Sequence, residues 1–170
     1  DEDIATAVTR LGQIEGGYRF DFGGDNGAFV TPFARLQAYT ATQNAFTESG
    51  AGSLNLSIAS QTTNSLRTVL GAQLGASMDM GWRERLALQF RLGWSHEFAD
   101  TARPVTAILA GAPAMPFTTF GASPLRDGAV VGFAASTAIA QGVSAFLRYE
   151  GDISGQDSTH ALAAGVRITW

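Results

Sequence analysis

The stretch RLALQFRLGWSHEF, Arg85 to Phe98, decides the fold class of this chain because its residues alternate in polarity. One alternate set is apolar and ends in aromatic rings: Leu86, Leu88, Phe90, Leu92, Trp94, His96 and Phe98. The other set is small, polar or charged: Arg85, Ala87, Gln89, Arg91, Gly93, Ser95 and Glu97. A period of two residues predicts a β-strand with one apolar face and one polar face. The strand is also far longer than the usual strand length of about five or six residues.

The same alternation recurs through the chain. It continues in LRTVLGAQLGASMD (66–79), in VSAFLRYEGD (143–152) and in the last segment, from Leu162 to Trp170. Gly-rich and Asn-Gly turn signals separate the alternating segments. We therefore predict nine strands and no interdomain linker, with the strands near 5–22, 28–41, 53–63, 66–79, 84–98, 103–112, 127–139, 143–153 and 158–170.

Two all-β architectures fit this pattern. In a soluble sandwich the apolar faces pack on each other, whereas in an antiparallel transmembrane barrel they meet lipid and the polar faces line a wet lumen. The length of the strands favours the barrel, since each can cross about 25 Å of hydrocarbon at a tilt. Small residues on the apolar faces and aromatic residues near strand ends also favour it. The aromatic residues are Trp82, Trp94, Phe98, Tyr149 and Trp170.

Composition excludes several functional classes. The net charge is -4 and the pI is about 5.0, so the chain has no basic surface typical of nucleic-acid binding. The chain contains no Cys, which removes disulfides, thiol catalysis and Cys-based metal sites. The longest apolar-rich run, 129–140, is shorter than the roughly 20 residues of a transmembrane helix. We expect no metal ion and no cofactor.

Residues that could carry catalysis are few. His96 and His160 are the only histidines, and no Gly-x-Ser-x-Gly nucleophile motif is present. His96 falls on the apolar register near a strand end, where a membrane-interface position explains it better than catalysis. We therefore expect that the domain is not an enzyme. The apolar segment 111–124 is predicted to be a surface loop or a further hairpin.

In a barrel the polar registers face the lumen. The charged lumen-facing candidates are Arg67, Asp79, Arg85, Arg91, Glu97, Arg148, Glu150 and Arg167. These side chains could hold a helix inside the pore or keep a translocating chain hydrated. The plainer interpretation is a solvated lumen with cross-strand salt bridges, each of which contributes little to stability.

The end of the chain, HALAAGVRITW, resembles the terminal strand signal of bacterial outer-membrane proteins. Gly165, Ile168 and Trp170 match that pattern, with Val166 on the same apolar register as the last two, and Ala163 departs from it at the polar position. The resemblance implies recognition by the barrel-assembly machinery.

Seven further segments resemble, in order, the β-domain of autotransporters of the type V secretion class. They are EGGYRF (15–20), FVTPFARLQAY (29–39), FTESGAGSLNLSI (46–58), LRTVLGAQLGAS (66–77), LGWSHEF (92–98), RDGAVVGFAAS (126–136) and FLRYEGDISGQDSTHALAAGVRITW (146–170). The resemblance implies a twelve-stranded barrel in the outer membrane of a Gram-negative bacterium. Such a barrel anchors an N-terminal passenger and supports its passage to the cell surface.

Because such β-domains are longer than this chain, residues 1–170 are expected to supply the last nine strands, without the first strands and the linker helix. An odd number of strands makes the first and last run in the same direction, so we expect both to be unpaired edges. The expected partners are outer-membrane lipid, the assembly machinery and the upstream passenger. A soluble β-protein that binds a small apolar or carbohydrate ligand is the alternative, and a small complete barrel with adhesin or enzyme activity is a third possibility.

Overall fold

The computed structural model describes residues 7–79, 81, 85–155 and 158–169, and their regular structure is almost entirely β-strand. The strands are β1 (Ala7–Gly17), β2 (Phe20–Gly23), β3 (Ala28–Gln43), β4 (Phe46–Thr47), β5 (Leu56–Ile58), β6 (Gln61–Asp79), β7 (Arg85–Glu97), β8 (Pro104–Leu109), β9 (Phe117–Phe120), β10 (Asp127–Ala140), β11 (Val143–Ser154) and β12 (Ser158–Ile168). A single turn of 3₁₀ helix, Gly52–Leu54, interrupts this pattern in the described part. No helix among the described residues is long and apolar enough to cross a membrane.

The long strands form one sheet in the order β1-β3-β6-β7-β10-β11-β12, with β2 also paired to β3. The pairs β7/β10, β10/β11 and β11/β12 are antiparallel and in continuous register over most of their length. Side-chain pairs show that β1 and β3 are antiparallel as well, because Gln13 bonds to Gln37 and the later Glu15 bonds to the earlier Arg35. The predicted all-β antiparallel class is therefore confirmed.

The first and last strands of this sheet each pair along one edge among the described residues. The order ends at β1 and at β12, and these two strands do not pair with each other there. The expectation of two unpaired edges is thus confirmed for the described part of the chain.

The exposure of side chains alternates along the strands as predicted. The exposed side chains are the apolar ones, which is the opposite of a soluble sheet. On β6, Leu70 and Leu74 are each 50 % exposed, while Val69 on the other face is 1 % exposed. On β7, Leu92 and Trp94 are exposed, whereas the neighbouring Ser95 is 2 % exposed. The described chain therefore leaves its large apolar side chains uncovered and protects polar ones.

The predicted first strand, 5–22, is divided into β1 and β2 for a local reason. Opposite the division lies Pro32 of β3, which has no N–H to donate to its neighbour. Tyr18 donates its backbone N–H to the Pro32 carbonyl at 3.2 Å, and a side chain at Gly17 would lie 2.8 Å from that oxygen. The ladder resumes at Phe20, which pairs with Val30.

Two of the nine predicted strands, 103–112 and all but the last three residues of 53–63, do not belong to the long sheet, and this corrects the sequence-based assignment. Residues 56–58 and 104–109 pair with each other as β5 and β8, inside a separate sheet ordered β4-β5-β8-β9. Both segments alternate in polarity like the long strands, so periodicity alone could not separate them. The long sheet includes the other seven predicted ranges, and β6 begins five residues earlier than predicted, at Gln61.

The segment 111–124 forms the second strand of a hairpin rather than an unstructured loop. Phe117–Phe120 is β9, and it pairs antiparallel with β8 from Ala107 to Pro104. Thr106 and Thr118 share a hydroxyl hydrogen bond of 2.9 Å across this pair. The further-hairpin interpretation of this segment is the one that the structure supports.

The chain divides into two compact units. The first comprises Asp1–Gln13, Gln37–Arg67 and Glu97–Pro124, and it includes the four-stranded sheet. The second comprises Ile14–Leu36, Thr68–His96 and Leu125–Trp170. Each is described separately below.

The two faces of β7 generate a prediction that uses adjacent residues. Phe90→Arg, on the exposed apolar register, should block insertion into a bilayer at a cost of about 2–4 kcal/mol near the midplane. Gln89→Arg, on the register of Arg91, should be tolerated. Folding of the β-domain into liposomes, followed by heat-dependent gel migration, measures both effects, and equal loss for the two variants would contradict the facing.

Candidate functional site

The polar register of the second unit brings charged side chains from six strands onto one side of the sheet. Cross-strand pairing connects Gln89 with Ala134, Ala134 with Arg148, and Arg148 with Ala163 in one row. We call this side the polar face. Its charged and amide side chains include Glu15, Arg35, Gln73, Asp79, Arg85, Gln89, Arg91, Arg148, Glu150, Asp152 and Arg167.

An ion-pair cluster of one carboxylate and two guanidinium groups lies on the polar face. Glu15 Oε2 accepts hydrogen bonds from Arg35 Nε and from Arg91 Nη2, each at 2.6 Å. Arg35 lies on the strand adjacent to β1, but Arg91 lies three strands away. Three flat interstrand steps would separate the backbones by about 14 Å. The second unit therefore curves toward its polar face.

Phe33 and Val69 support this cluster from beneath. The guanidinium carbon of Arg91 lies 3.7 Å from the centroid of the Phe33 ring, a cation–π contact. Phe33 is 7 % exposed, so the Arg91 guanidinium rests on a well-buried ring. Val69, which is 1 % exposed, and the Phe33 ring both lie beside Gly93. The Nε atom of Arg91 is buried and has no hydrogen-bond partner among the described residues. Arg91 is thus held by its Nη2 bond and by the aromatic ring.

Glycines on the polar registers form sockets for aromatic rings. A Cβ atom at Gly75 would clash with the ring of Phe29 on the neighbouring strand, and one at Gly165 would lie 2.8 Å from the ring of Phe146. Gly71 likewise leaves room for Phe33, 2.9 Å from its ring. Because only hydrogen fits at these positions, the rings can lie flat against the sheet.

Of the remaining charged candidates of the second unit, Asp79 and Arg85 lie at strand ends and Arg148 lies in the middle of β11. Asp79 accepts a hydrogen bond from the backbone of Gly81 and so closes the start of a turn. Arg85 donates from Nη2 to the backbone carbonyl of Asp25 at 2.9 Å. Arg148 donates to Glu150, two residues further along β11, at 2.5 and 3.0 Å.

In the first unit, Glu97 fastens the end of β7 to β6. It accepts hydrogen bonds from the Ser65 hydroxyl at 2.5 Å and from the backbone N–H groups of Leu66 and Ala99. Arg67 acts on Glu97 through its charge. This predicted lumen-facing pair is therefore also a structural clamp at the root of the segment 98–126.

Both histidines lie on the exposed apolar register and face carboxylate or phenol groups. His96 Nδ1 lies 2.9 Å from Asp127 Oδ1, which also accepts the Trp94 indole N–H at 3.0 Å. His160 Nδ1 lies 2.8 Å from the Tyr149 hydroxyl, with the two rings stacked at 6.0 Å. Aromatic and polar side chains mixed in this way are typical of a membrane–water interface.

The terminal strand β12 carries the predicted assembly residues. Val166 and Ile168 are more than 60 % exposed on the apolar register, while Gly165 receives the Phe146 ring on the opposite side. Trp170 lies outside the described residues, as does Trp82.

Sequence reasoning missed Glu15, Arg35 and Phe33, which form the centre of the cluster with Arg91. The alternation of 28–41 is less regular because Phe29 and Phe33 occupy its polar register. A signal was nevertheless present, since Glu15 and Arg35 flank the predicted turn 23–27 almost symmetrically. Antiparallel pairing across that turn brings them together.

These features define an outer-membrane β-barrel class: long antiparallel strands, exposed apolar side chains on one face and charged groups on the other face. A family model described as Autotransporter beta-domain matches residues 6–150. No curated protein matches the chain. Because the match covers most of the sequence, the chain belongs to the autotransporter β-domain family. It is an outer-membrane translocator and anchor of type V secretion in a Gram-negative bacterium, linked to a passenger.

The Gly75 socket yields a prediction with a matched control. Gly75→Ala should destabilise the folded domain by about 1–3 kcal/mol, because the new methyl group overlaps the Phe29 ring. Gly12→Ala on β1 should have almost no effect, since nothing lies within 4 Å of its Cβ position. Urea unfolding in detergent measures both. If Phe29→Ala does not relieve the cost of Gly75→Ala, the steric explanation is wrong.

Proposed function

We propose that the polar face lines the water-filled passage of the translocator. The lumen-facing set is Arg67, Asp79, Arg85, Arg91, Glu97, Arg148, Glu150 and Arg167, to which Glu15 and Arg35 are added. The observation that carries this proposal is the Glu15–Arg35–Arg91 cluster. It lies on the face opposite the exposed Leu, Phe and Trp side chains.

Charge placement supports this orientation because ionised groups are expensive in hydrocarbon. An Arg side chain facing lipid near the midplane costs about 2–4 kcal/mol in a barrel. Arg91 on the polar face instead has a carboxylate and an aromatic ring as partners. A wet lumen would solvate the remaining donors of this cluster.

Loop lengths support the sidedness of the passage. The turns after β2, β6 and β10 are short, whereas the segments 44–60 and 98–126 are long and carry the four-stranded sheet. Barrels of this kind have short periplasmic turns and longer extracellular loops. The long segments are therefore proposed to face the cell exterior.

The cluster is proposed to keep the passage hydrated while a polypeptide moves through it. Paired charges present hydrogen-bonding groups without a strong net field, so an extended chain can pass without lasting attachment. No metal-binding group of three or more His, Cys, Asp or Glu side chains occurs among the described residues. We propose that the domain itself performs no catalysis.

We further propose that upstream residues complete the barrel. Strands β1 and β12 each retain an unpaired edge in the described part, and such edges seldom remain open in barrels. The first strands of the family would precede this chain and pair with both edges, and the linker helix would lie further upstream.

Labelling of introduced cysteines tests the pore assignment directly, because the chain contains no Cys. Ala134→Cys lies in the row of Gln89 and Arg148, whereas Ala135→Cys lies in the row of Leu88 and Leu147. A membrane-impermeant charged maleimide applied to cells that display the full β-domain should label position 134 and leave position 135 unmodified.

A passenger stalled within the pore should protect position 134 from this reagent. Equal labelling at both positions, or labelling at 135 alone, would overturn the pore assignment. The comparison is internal because the two residues are neighbours on one strand and are both Ala in the natural sequence.

The second proposal concerns assembly in cells. Gly165, Val166, Ile168 and Trp170 are proposed to be read by the barrel-assembly machinery, because they match the terminal strand signal. Deletion of Trp170 should lower the amount of outer-membrane protein in cells while leaving refolding in detergent nearly unchanged. If cellular levels do not fall, the terminal residue is not part of a signal.

A further inference from the structure

A cleft on the polar face of the second unit has a lining whose only charged side chains are arginines. The cleft has a volume of about 410 Å³ and is bounded by β7, β10, β11 and β12. Its charged lining consists of Arg85, Arg148 and Arg167, and the described lining includes no Asp or Glu. A positively charged recess of this size is suited to a small anion.

The floor of this cleft is made of small side chains. Cross-strand pairing places Ala87, Ser136, Phe146 and Gly165 in one row, and Ala138, Ser144 and Arg167 in the next. The Phe146 ring lies over Gly165, while Ser136 is exposed and Ser144 is half-buried. Small residues at the centre and long cationic ones at the rim leave a space that the described side chains do not fill.

Elsewhere on this face the chain neutralises its arginines, which makes the cleft exceptional. Arg35 and Arg91 share the Glu15 carboxylate. In the cleft only Arg148 has a carboxylate partner, Glu150. The Arg85 side chain bonds to a backbone carbonyl, and the Arg167 guanidinium makes no hydrogen bond or ion pair with any described residue.

We propose that this cleft binds an oxyanion, a phosphate or carboxylate group, through Arg148 and Arg167, with hydroxyl donors from Ser136 and Ser144. Guanidinium groups match such ligands because their planar donors can bind two oxygens at once. Arg167 can offer such a pair of donors, whereas Arg148 gives Nε and Nη2 to Glu150 and adds its Nη1 donors and its charge. The group can come from a solute anion in the passage or from an acidic side chain of the moving polypeptide. This inference deepens the proposed function, because it assigns a ligand class to part of the pore lining.

Calorimetric titration of the full β-domain in detergent micelles tests the site with inorganic pyrophosphate as the probe. Arg167→Gln and Arg148→Gln should each weaken binding about tenfold, the usual loss for one charge-assisted hydrogen bond. Arg10→Gln, which removes the same charge outside the cleft lining, should leave binding unchanged. Arg167→Lys should retain part of the affinity, and it provides a second variant if Arg167→Gln fails to fold.

Two peptide probes distinguish the sources of the anion. A short Glu-rich peptide that competes with pyrophosphate, when the matching Gln-rich peptide does not, identifies carboxylates of a passing chain as ligands. Pyrophosphate binding without peptide competition identifies a solute anion. Equal weakening by Arg10→Gln and Arg167→Gln, or no binding by the natural sequence, would overturn the site. Binding needs no open pore, so such a result would leave the cysteine-labelling test of the passage unaffected.

Discussion

The apolar register of every long strand has nothing from the described chain to pack against, and this constraint determines the rest of the structure. In water such a face would drive a second layer to form. In a bilayer lipid supplies that layer, but lipid cannot satisfy backbone N–H and C=O groups. Extended strands with complete ladders are the solution for a non-helical chain. The long continuous registers of β7, β10, β11 and β12 follow from this requirement.

The side chains of the second unit therefore pack against each other on the polar face of the sheet, where there is little space. Phe33 and Val69 form the small apolar centre of the second unit, and Arg91 lies on top of it. Curvature toward this side crowds the backbones together, so glycine must face the aromatic rings. Glycines create the sockets for Phe29 and Phe146, and other small residues, Ala87 and Ser136 among them, line the cleft between the arginines. Stability and the chemistry of the polar face thus depend on one pattern of large and small side chains.

The long sheet could be predicted from sequence because a period of two residues indicates a strand whose two faces lie in different environments. The pattern in 85–98 predicted both the strand and its faces. It failed for 53–63 and 103–112, since the strands of the short sheet also have two unlike faces. Strand length decides between the two cases: β5 and β8 have three and six residues, too few to cross a bilayer.

The charged cluster was only half predictable, for a geometric reason. Local alternation identifies Arg91 as inward, but its partner Glu15 lies three strands and 76 residues away. Such a pair exists only because the sheet curves, and curvature is a collective property of twist, glycine placement and closure that no single segment encodes. The bond between Glu15 and Arg91 consequently depends on the curvature of the sheet. If upstream strands held β1 at a different curvature, the Glu15–Arg35 pair between adjacent strands would survive, while the longer-range bond to Arg91 would be the first to separate.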